Sequence, residues 1–207
     1  MTKAIDPNTA FLFDVGNVIL FFDFKHFGRA IEAQTDYSAE QLKAMIDEPK
    51  DELEASLNQT EAFLKLAFEM TNFRGTREEF VKAWVEIFDL NEPISNWIEE
   101  LSDAGHPLYL LSNTNELHVE HFMNAYSVFK RFDGAVFSNE VGMAKPDPAI
   151  FAHTIEKFDL NPAETIYIDD LGPNAEAGAK AGLRSVQYSG QLPYEILEIA
   201  SRTYSST

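Results

Sequence analysis

The chain has 207 residues, no cysteine, and a formal net charge of −18 from 34 acidic and 16 basic side chains. The missing cysteine excludes disulfides, thiolate metal sites and thiol nucleophiles. A surface this acidic argues against nucleic-acid partners, whose affinity rests on neutralising phosphates, and a small phosphorylated ligand would need strong local positive charge. The start, Met1-Thr2-Lys3-Ala4-Ile5-Asp6, lacks the charged and apolar halves of a signal peptide. No apolar stretch reaches the length of a membrane span. A cytoplasmic protein with no membrane partner is expected, of one domain or one domain with an insertion.

In chain order, residues 10–22 read as a strand, apolar on both sides of Asp14 and so buried on both faces. From Lys25 to about Leu90 the spacing turns helical, as in Phe63, Leu66, Ala67 and Met70, then Phe80, Val81, Trp84 and Phe88. Ser38-Ala39-Glu40-Gln41 has the form of a capping box, and Thr60-Glu61 and Thr76-Arg77-Glu78-Glu79 look like helix starts. This stretch predicts a bundle of about four helices with no strand.

The alternation of strand and helix resumes near Pro93. Helices are expected at 96–104, 116–124, 148–157, 174–181 and 194–200, and strands at 107–111, 134–138, 165–168 and 185–188. That pattern predicts an α/β fold with a doubly wound parallel sheet. The division expected is 1–22 with 96–207 as an α/β core, and 23–95 as an inserted helical unit.

The informative side chains all follow strands. Asp14 comes after Phe11–Phe13, Ser112 after Tyr109–Leu111, and Asp169-Asp170 after Ile166–Ile168; Lys145 precedes the helix opened by Pro146-Asp147-Pro148. In a parallel sheet such loops converge at one end. A buried carboxylate at a strand mouth is costly unless its charge is used. The set meets the needs of phosphoryl transfer. A carboxylate can attack phosphorus, a hydroxyl and backbone amides can hold the phosphoryl oxygens, and a lysine can offset their charge. A pair of carboxylates suits Mg²⁺, which prefers oxygen ligands and would relieve the mutual repulsion of Asp14, Asp169 and Asp170.

The segments Phe13-Asp14-Val15-Gly16-Asn17-Val18, Leu111-Ser112-Asn113-Thr114-Asn115, Gly142-Met143-Ala144-Lys145-Pro146-Asp147 and Tyr167-Ile168-Asp169-Asp170 resemble, in order, the four motifs of haloacid-dehalogenase-like hydrolases. The resemblance covers essentially the whole chain. It implies a Rossmann-like core with a small α-helical cap between the first two motifs. The members it is most similar to are phosphatases of the α-D-glucose-1-phosphate phosphatase kind, which share an Asp-x-Gly-Asn-Val first motif.

By this resemblance Asp14 is the nucleophile and Lys145 steadies it and the phosphoryl group. Ser112 and Asn113 bind phosphate. Asp14, Asp169, Asp170 and the carbonyl of Gly16 hold Mg²⁺, with Asp170 the more direct of the fourth-motif ligands; Asn174 orients the carboxylates. The reading is an Mg²⁺-dependent phosphatase of a small phosphorylated metabolite, a sugar phosphate, working through an aspartyl-phosphate. The sequence sets no oligomeric state.

One position departs from the pattern. Most phosphatases of the superfamily carry a general acid–base aspartate two residues after the nucleophile, where this chain has Gly16. Such assistance contributes ~10²–10⁴-fold, so leaving groups that need little protonation, anomeric or acyl phosphates, are expected to be favoured. Gly16 also admits two alternatives: a 2-haloacid dehalogenase, and a catalytically weak protein that binds a phosphorylated ligand or partner. His118 and His121, spaced i, i+3, read as a surface or cleft-edge pair. Phe63, Phe68, Phe80, Trp84 and Phe88 read as bundle core, and Arg74 and Arg77 as a solvated face or substrate contacts.

Overall fold

The computed structural model describes residues 5–46 and 60–204. Its strands are β1 (Ala10–Phe13), β2 (Leu20–Phe22), β3 (Phe88–Leu90), β4 (Leu108–Ser112), β5 (Gly134–Phe137), β6 (Thr165–Asp169) and β7 (Arg184–Gln187). The helices are α1 (Phe24–Ile31), α2 (39–46), α3 (Thr60–Thr71), α4 (Arg77–Val85), α5 (Glu92–Asp103), α6 (Glu116–Ala125), α7 (Ser138–Val141), α8 (Pro148–Lys157), α9 (Gly172–Lys180) and α10 (Pro193–Tyr204).

Five strands form a parallel sheet in the order β5-β4-β1-β6-β7. β1 is central, and every residue in it is buried. Alternation sends Phe11 and Phe13 to one face, against Trp97 and Ile98 of α5, and Leu12 to the other, against Phe151 and Tyr167. Burial on both faces is what makes the strand read as a continuous apolar run. Chain order leaves β1 in both directions, toward β4 on one side and β6 on the other. The crevice beyond the carboxyl ends of these strands is therefore a switch point where ligands bind.

Residues 10–22 are not one strand. β1 ends at Phe13, the chain turns through Asn17 at φ 53°, and β2 starts at Leu20. The turn is compact because the Ile19 and Leu20 amides both donate to the Val15 carbonyl. Nor is the following stretch free of strands, since β3 pairs antiparallel with β2, with Phe22 opposite Phe88. Three residues per strand are too few for periodicity to register. α5 starts at Glu92 rather than at 96, because a proline in the first helical turn loses no hydrogen bond.

α1 to α4 gather around a second cluster in which Phe27, Phe80 and Trp84 are fully buried. The expected capping box at Ser38 is present, and the helix start expected at Thr76 is a capping box as well. The Ser38 amide donates to Gln41 Oε1 while the Gln41 amide donates to Ser38 Oγ, and Thr76 and Glu79 exchange the same pair of bonds. Among the described residues, no helix is long and apolar enough to cross a membrane.

Candidate active site

Asp14, Ser112 and Asp169 stand at the carboxyl ends of β1, β4 and β6, with Asp170 just beyond β6. Lys145, from the loop between α7 and α8, reaches into their midst. Its Nζ lies 2.8 Å from Asp14 Oδ1, 2.6 Å from Asp169 Oδ2 and 2.9 Å from the Leu111 carbonyl oxygen. The lysine side chain is 1% exposed and those of Asp14 and Asp169 are 9% and 0%. A pair this dry is not a surface ion pair. It is held by geometry, and the two buried carboxylates are costly without the lysine between them.

Asp169 is saturated. Besides Lys145 it accepts from the Tyr167 hydroxyl, from the Leu171 amide at 2.9 Å, and from Asn174 Nδ2 at 3.1 and 3.3 Å. Asp170 is less committed and accepts from Asn17 Nδ2 at 3.0 Å. Asn17 suits its place twice, since asparagine tolerates the left-handed backbone better than bulkier residues and carries the amide that holds Asp170.

Oxygen atoms of Asp14, Asp169 and Asp170 lie within 4.8 Å of one another. Burial pushes the Asp14 carboxyl up to about 6, with Asp169 and Asp170 adding to the rise and Lys145 opposing it. Asp170 is also raised, by burial first and by Asp169 next. Burial alone would lower the Lys145 ammonium, but Asp14 and Asp169 outweigh it and hold the amine charged. The Tyr167 hydroxyl is pushed well up by burial and by Asp169, so it remains a donor. Three carboxylates around one ammonium leave an excess of negative charge, and oxygen donors at this spacing are the set a hard divalent cation takes.

Asn113 does something the sequence did not signal. Its Oδ1 accepts from the Lys145 amide and its Nδ2 donates to the Lys145 carbonyl, both at 2.8 Å. The side chain thus clamps the backbone that carries the lysine. Asn113→Ala is expected to cost about 1–3 kcal/mol in thermal or chemical unfolding through the two unmet backbone groups. Ser138 holds the neighbouring loop similarly, its hydroxyl bonded to both the amide and the carbonyl of Thr114.

Asp14, Lys145 and Asp170 line a cavity of about 300 Å³, to which Gly16, Asn17, Ser112, Asn113, Thr114 and Asn174 also contribute. The antiparallel β2–β3 pair and its surroundings add Phe22, Phe24, Ile87, Phe88, His118 and Phe122 to the lining. His118 is buried rather than at the surface. Asn115 Nδ2 donates to its Nδ1 at 2.9 Å, so Nε2 carries the proton, which goes to the Trp84 carbonyl at 3.0 Å. His121 stacks on Phe88 instead and shares no ligand site with His118. Of the bundle aromatics, Phe63, Phe80 and Trp84 are core as expected, while Phe88 faces the cavity. Arg74 and Arg77 pair at the surface with Asp36 and Glu61, away from the cavity.

Tyr167, Asn17 and Phe22 were not legible as site residues. Only Tyr167 left a signal, being two positions before Asp169 on a strand and so on the same face.

A parallel α/β sheet with a carboxylate–lysine cluster at its carboxyl edge defines a class of hydrolase. The haloacid dehalogenase-like hydrolase family model matches residues 9–182, and the chain belongs to that family. It is similar to D-ribitol-5-phosphate phosphatase of Bacteroides thetaiotaomicron, 27% identical over 195 residues, covering 85% of this chain and 89% of that protein. The similarity to mouse acyl-CoA dehydrogenase family member 10 is local, 40% over 58 residues, spanning 28% of this chain and 5% of that protein. Among solved structures, the haloacid-dehalogenase-family enzyme bt-2542 of Bacteroides thetaiotaomicron, as an Asp→Ala mutant in complex with magnesium and inorganic phosphate, superposes with a TM-score of 0.77. It is 20% identical, with 92% of this chain and 98% of that one covered, a likeness of fold.

Proposed function

We propose that the chain is an Mg²⁺-dependent phosphatase of a small phosphorylated metabolite, with Asp14 as nucleophile. The observation that carries this reading is the buried ammonium of Lys145 between Asp14 and Asp169, with Asp170 alongside, where Asp14, Lys145 and Asp170 line a cavity of about 300 Å³. One oxygen of Asp14 attacks phosphorus, and the bond from phosphorus to the leaving oxygen breaks with its electron pair on that oxygen. Lys145 keeps the nucleophile oriented and offsets charge on the phosphoryl oxygens. The Ser112 hydroxyl and the Asn113 backbone amide serve as donors to those oxygens. Water then attacks the aspartyl-phosphate, phosphate departs, and the Asp14 carboxylate is restored.

Mg²⁺, when bound by Asp14, Asp170, the Gly16 carbonyl and Asp169, would supply positive charge against the phosphoryl group. Asp169 is so heavily bonded that its main part is to hold Lys145 and the β6 end in place. Residues 23–95 would act as a cap over the core of 1–22 and 96–207, excluding water from the reaction. The expectation of a sugar phosphate is supported by the likeness to a phosphatase named for a sugar-alcohol phosphate. A dehalogenase would have no use for three carboxylates in one place, which weighs against that alternative.

The test is phosphate release from a panel of sugar, polyol, acyl and aryl phosphates, with Mg²⁺ present or chelated. The expected result is release that stops on chelation and returns when Mg²⁺ is restored. Release that ignores chelation, or no release from any compound, would overturn the reading.

A further inference from the structure

The part of the cavity lining that gathers around β2 and β3 is unlike a surface made for a polyol. All four residues there, Phe22, Phe24, Ile87 and Phe88, are apolar, and the exposed Leu171 that also lines the cavity is apolar too. Phe22 and Leu171 are left 37% and 55% exposed. Phe22 is braced edge-on by Phe24, with ring centroids 5.7 Å apart, and by Phe88 at 6.4 Å. The polar side chain among them, His118, has both ring nitrogens engaged, one by Asn115 and one by the Trp84 carbonyl. Hydroxyls on a leaving group turned toward Phe22, Phe24, Ile87 and Phe88 would meet carbon, while the polar Asn17 and Thr114 line the cavity elsewhere.

The same ring answers a second question. A Cβ built on Gly16 would lie 2.9 Å from Phe22 Cε1. The Phe22 ring therefore occupies the space into which a side chain at position 16 would project, and among the described residues no carboxyl group stands there to protonate a departing oxygen. An alkoxide leaves poorly without a proton. A phenolate, with a parent pKa near that of tyrosine at about 10, leaves without one.

Resting on the phosphatase reading above, we propose that the substrate is an aryl or enolic phosphate whose flat, apolar leaving group lies against Phe22 and Phe88. The leaving oxygen departs as phenolate or enolate and takes its proton from solvent. The cavity of about 300 Å³ suits one ring and its phosphate, being at the small end of the usual ~300–1,000 Å³ for ligand pockets. Specificity in this reading comes from face and edge contacts with aromatic rings rather than from hydrogen bonds.

The experiment compares phenyl phosphate, cyclohexyl phosphate, ribitol 5-phosphate and acetyl phosphate on the full chain with Mg²⁺, before and after Phe22→Ala and Phe22→Leu. Acetyl phosphate needs neither an apolar wall nor an acid, so its hydrolysis, lost in Asp14→Asn, reports on the phosphatase reading by itself. Phenyl phosphate is expected to give the lowest KM and the highest kcat/KM of the three esters. Phe22→Ala should raise KM for phenyl phosphate about three- to tenfold more than for acetyl phosphate, with Phe22→Leu between the two. Thermal melts establish that both variants are folded. Ribitol 5-phosphate turned over as well as phenyl phosphate, or an equal effect of Phe22→Ala on both phosphates, would overturn the aryl assignment while leaving the phosphatase standing. No hydrolysis of acetyl phosphate or any ester would remove both.

Discussion

Asp14→Asn is expected to abolish phosphate release and, in metal-free protein, to raise stability rather than lower it. The amide keeps the shape of the carboxyl group and can still accept from Lys145 Nζ, so packing is unchanged. It cannot form an acyl phosphate, and turnover should fall on the order of 10⁴-fold or more. The stability gain follows from the Asp14 carboxyl being pushed up to about 6 by burial. At pH below about 4 it is protonated whether folded or unfolded, and there is no penalty. Between about 4 and 6 the unfolded chain gives up the proton and the folded one does not, so stability falls as pH rises. Above that window the full cost remains, on the order of 1–3 kcal/mol. Denaturant titrations in chelator should therefore show the variant's advantage growing from pH 4 to 6 and then levelling. Mg²⁺ should narrow the gap by stabilising the parent more. A variant that is less stable than the parent at pH 7 in chelator would show that the charge of Asp14 is needed by the fold.

Lys145→Met is expected to be the most damaging single change in the site. Methionine fills much of the same volume, yet it leaves Asp14 and Asp169 buried side by side with no cation. Breaking a buried pair by removing one partner costs about 3–5 kcal/mol, a large part of the ~5–15 kcal/mol that holds a domain together. The loss should be greater at pH 8 than at pH 5, where Asp14, already pushed up by burial, can take up a proton instead. Asp14→Asn combined with Lys145→Met should recover part of the stability, and a double-mutant cycle would read the coupling directly. Additive effects would mean that the pair is not energetically linked. Activity should be lost in both variants, which separates this result from a purely structural one only through the pH dependence and the cycle.

The sheet and the loops that bear chemistry were legible in the chain because parallel strands buried on both faces leave long apolar runs. A polar residue that interrupts such a run stands out, as Asp14 and Asp169-Asp170 do. The helical texture of the inserted stretch, the capping box at Ser38 and the helix start at Thr76 were equally plain, since each depends on residues three or four positions apart. What escaped was whatever depends on distant parts of the chain meeting. β2 and β3 are three residues each and exist because they pair with one another. That the Asn113 side chain clamps the Lys145 backbone appears only once the two loops meet.

The sequence by itself determined which groups this protein has for chemistry, a carboxylate at the mouth of a buried strand, a lysine and a pair of acids, and that one sheet edge would collect them. Local patterning and strand order suffice for that, because a parallel sheet points all its carboxyl ends one way. Only the tertiary structure decided how those groups are held and what faces them. It put Lys145 between two buried carboxylates, tied Asp170 to Asn17, and laid the Phe22 ring over Gly16. Those are contacts between segments far apart in the chain. Their geometry is set by packing in three dimensions, which no local periodicity encodes.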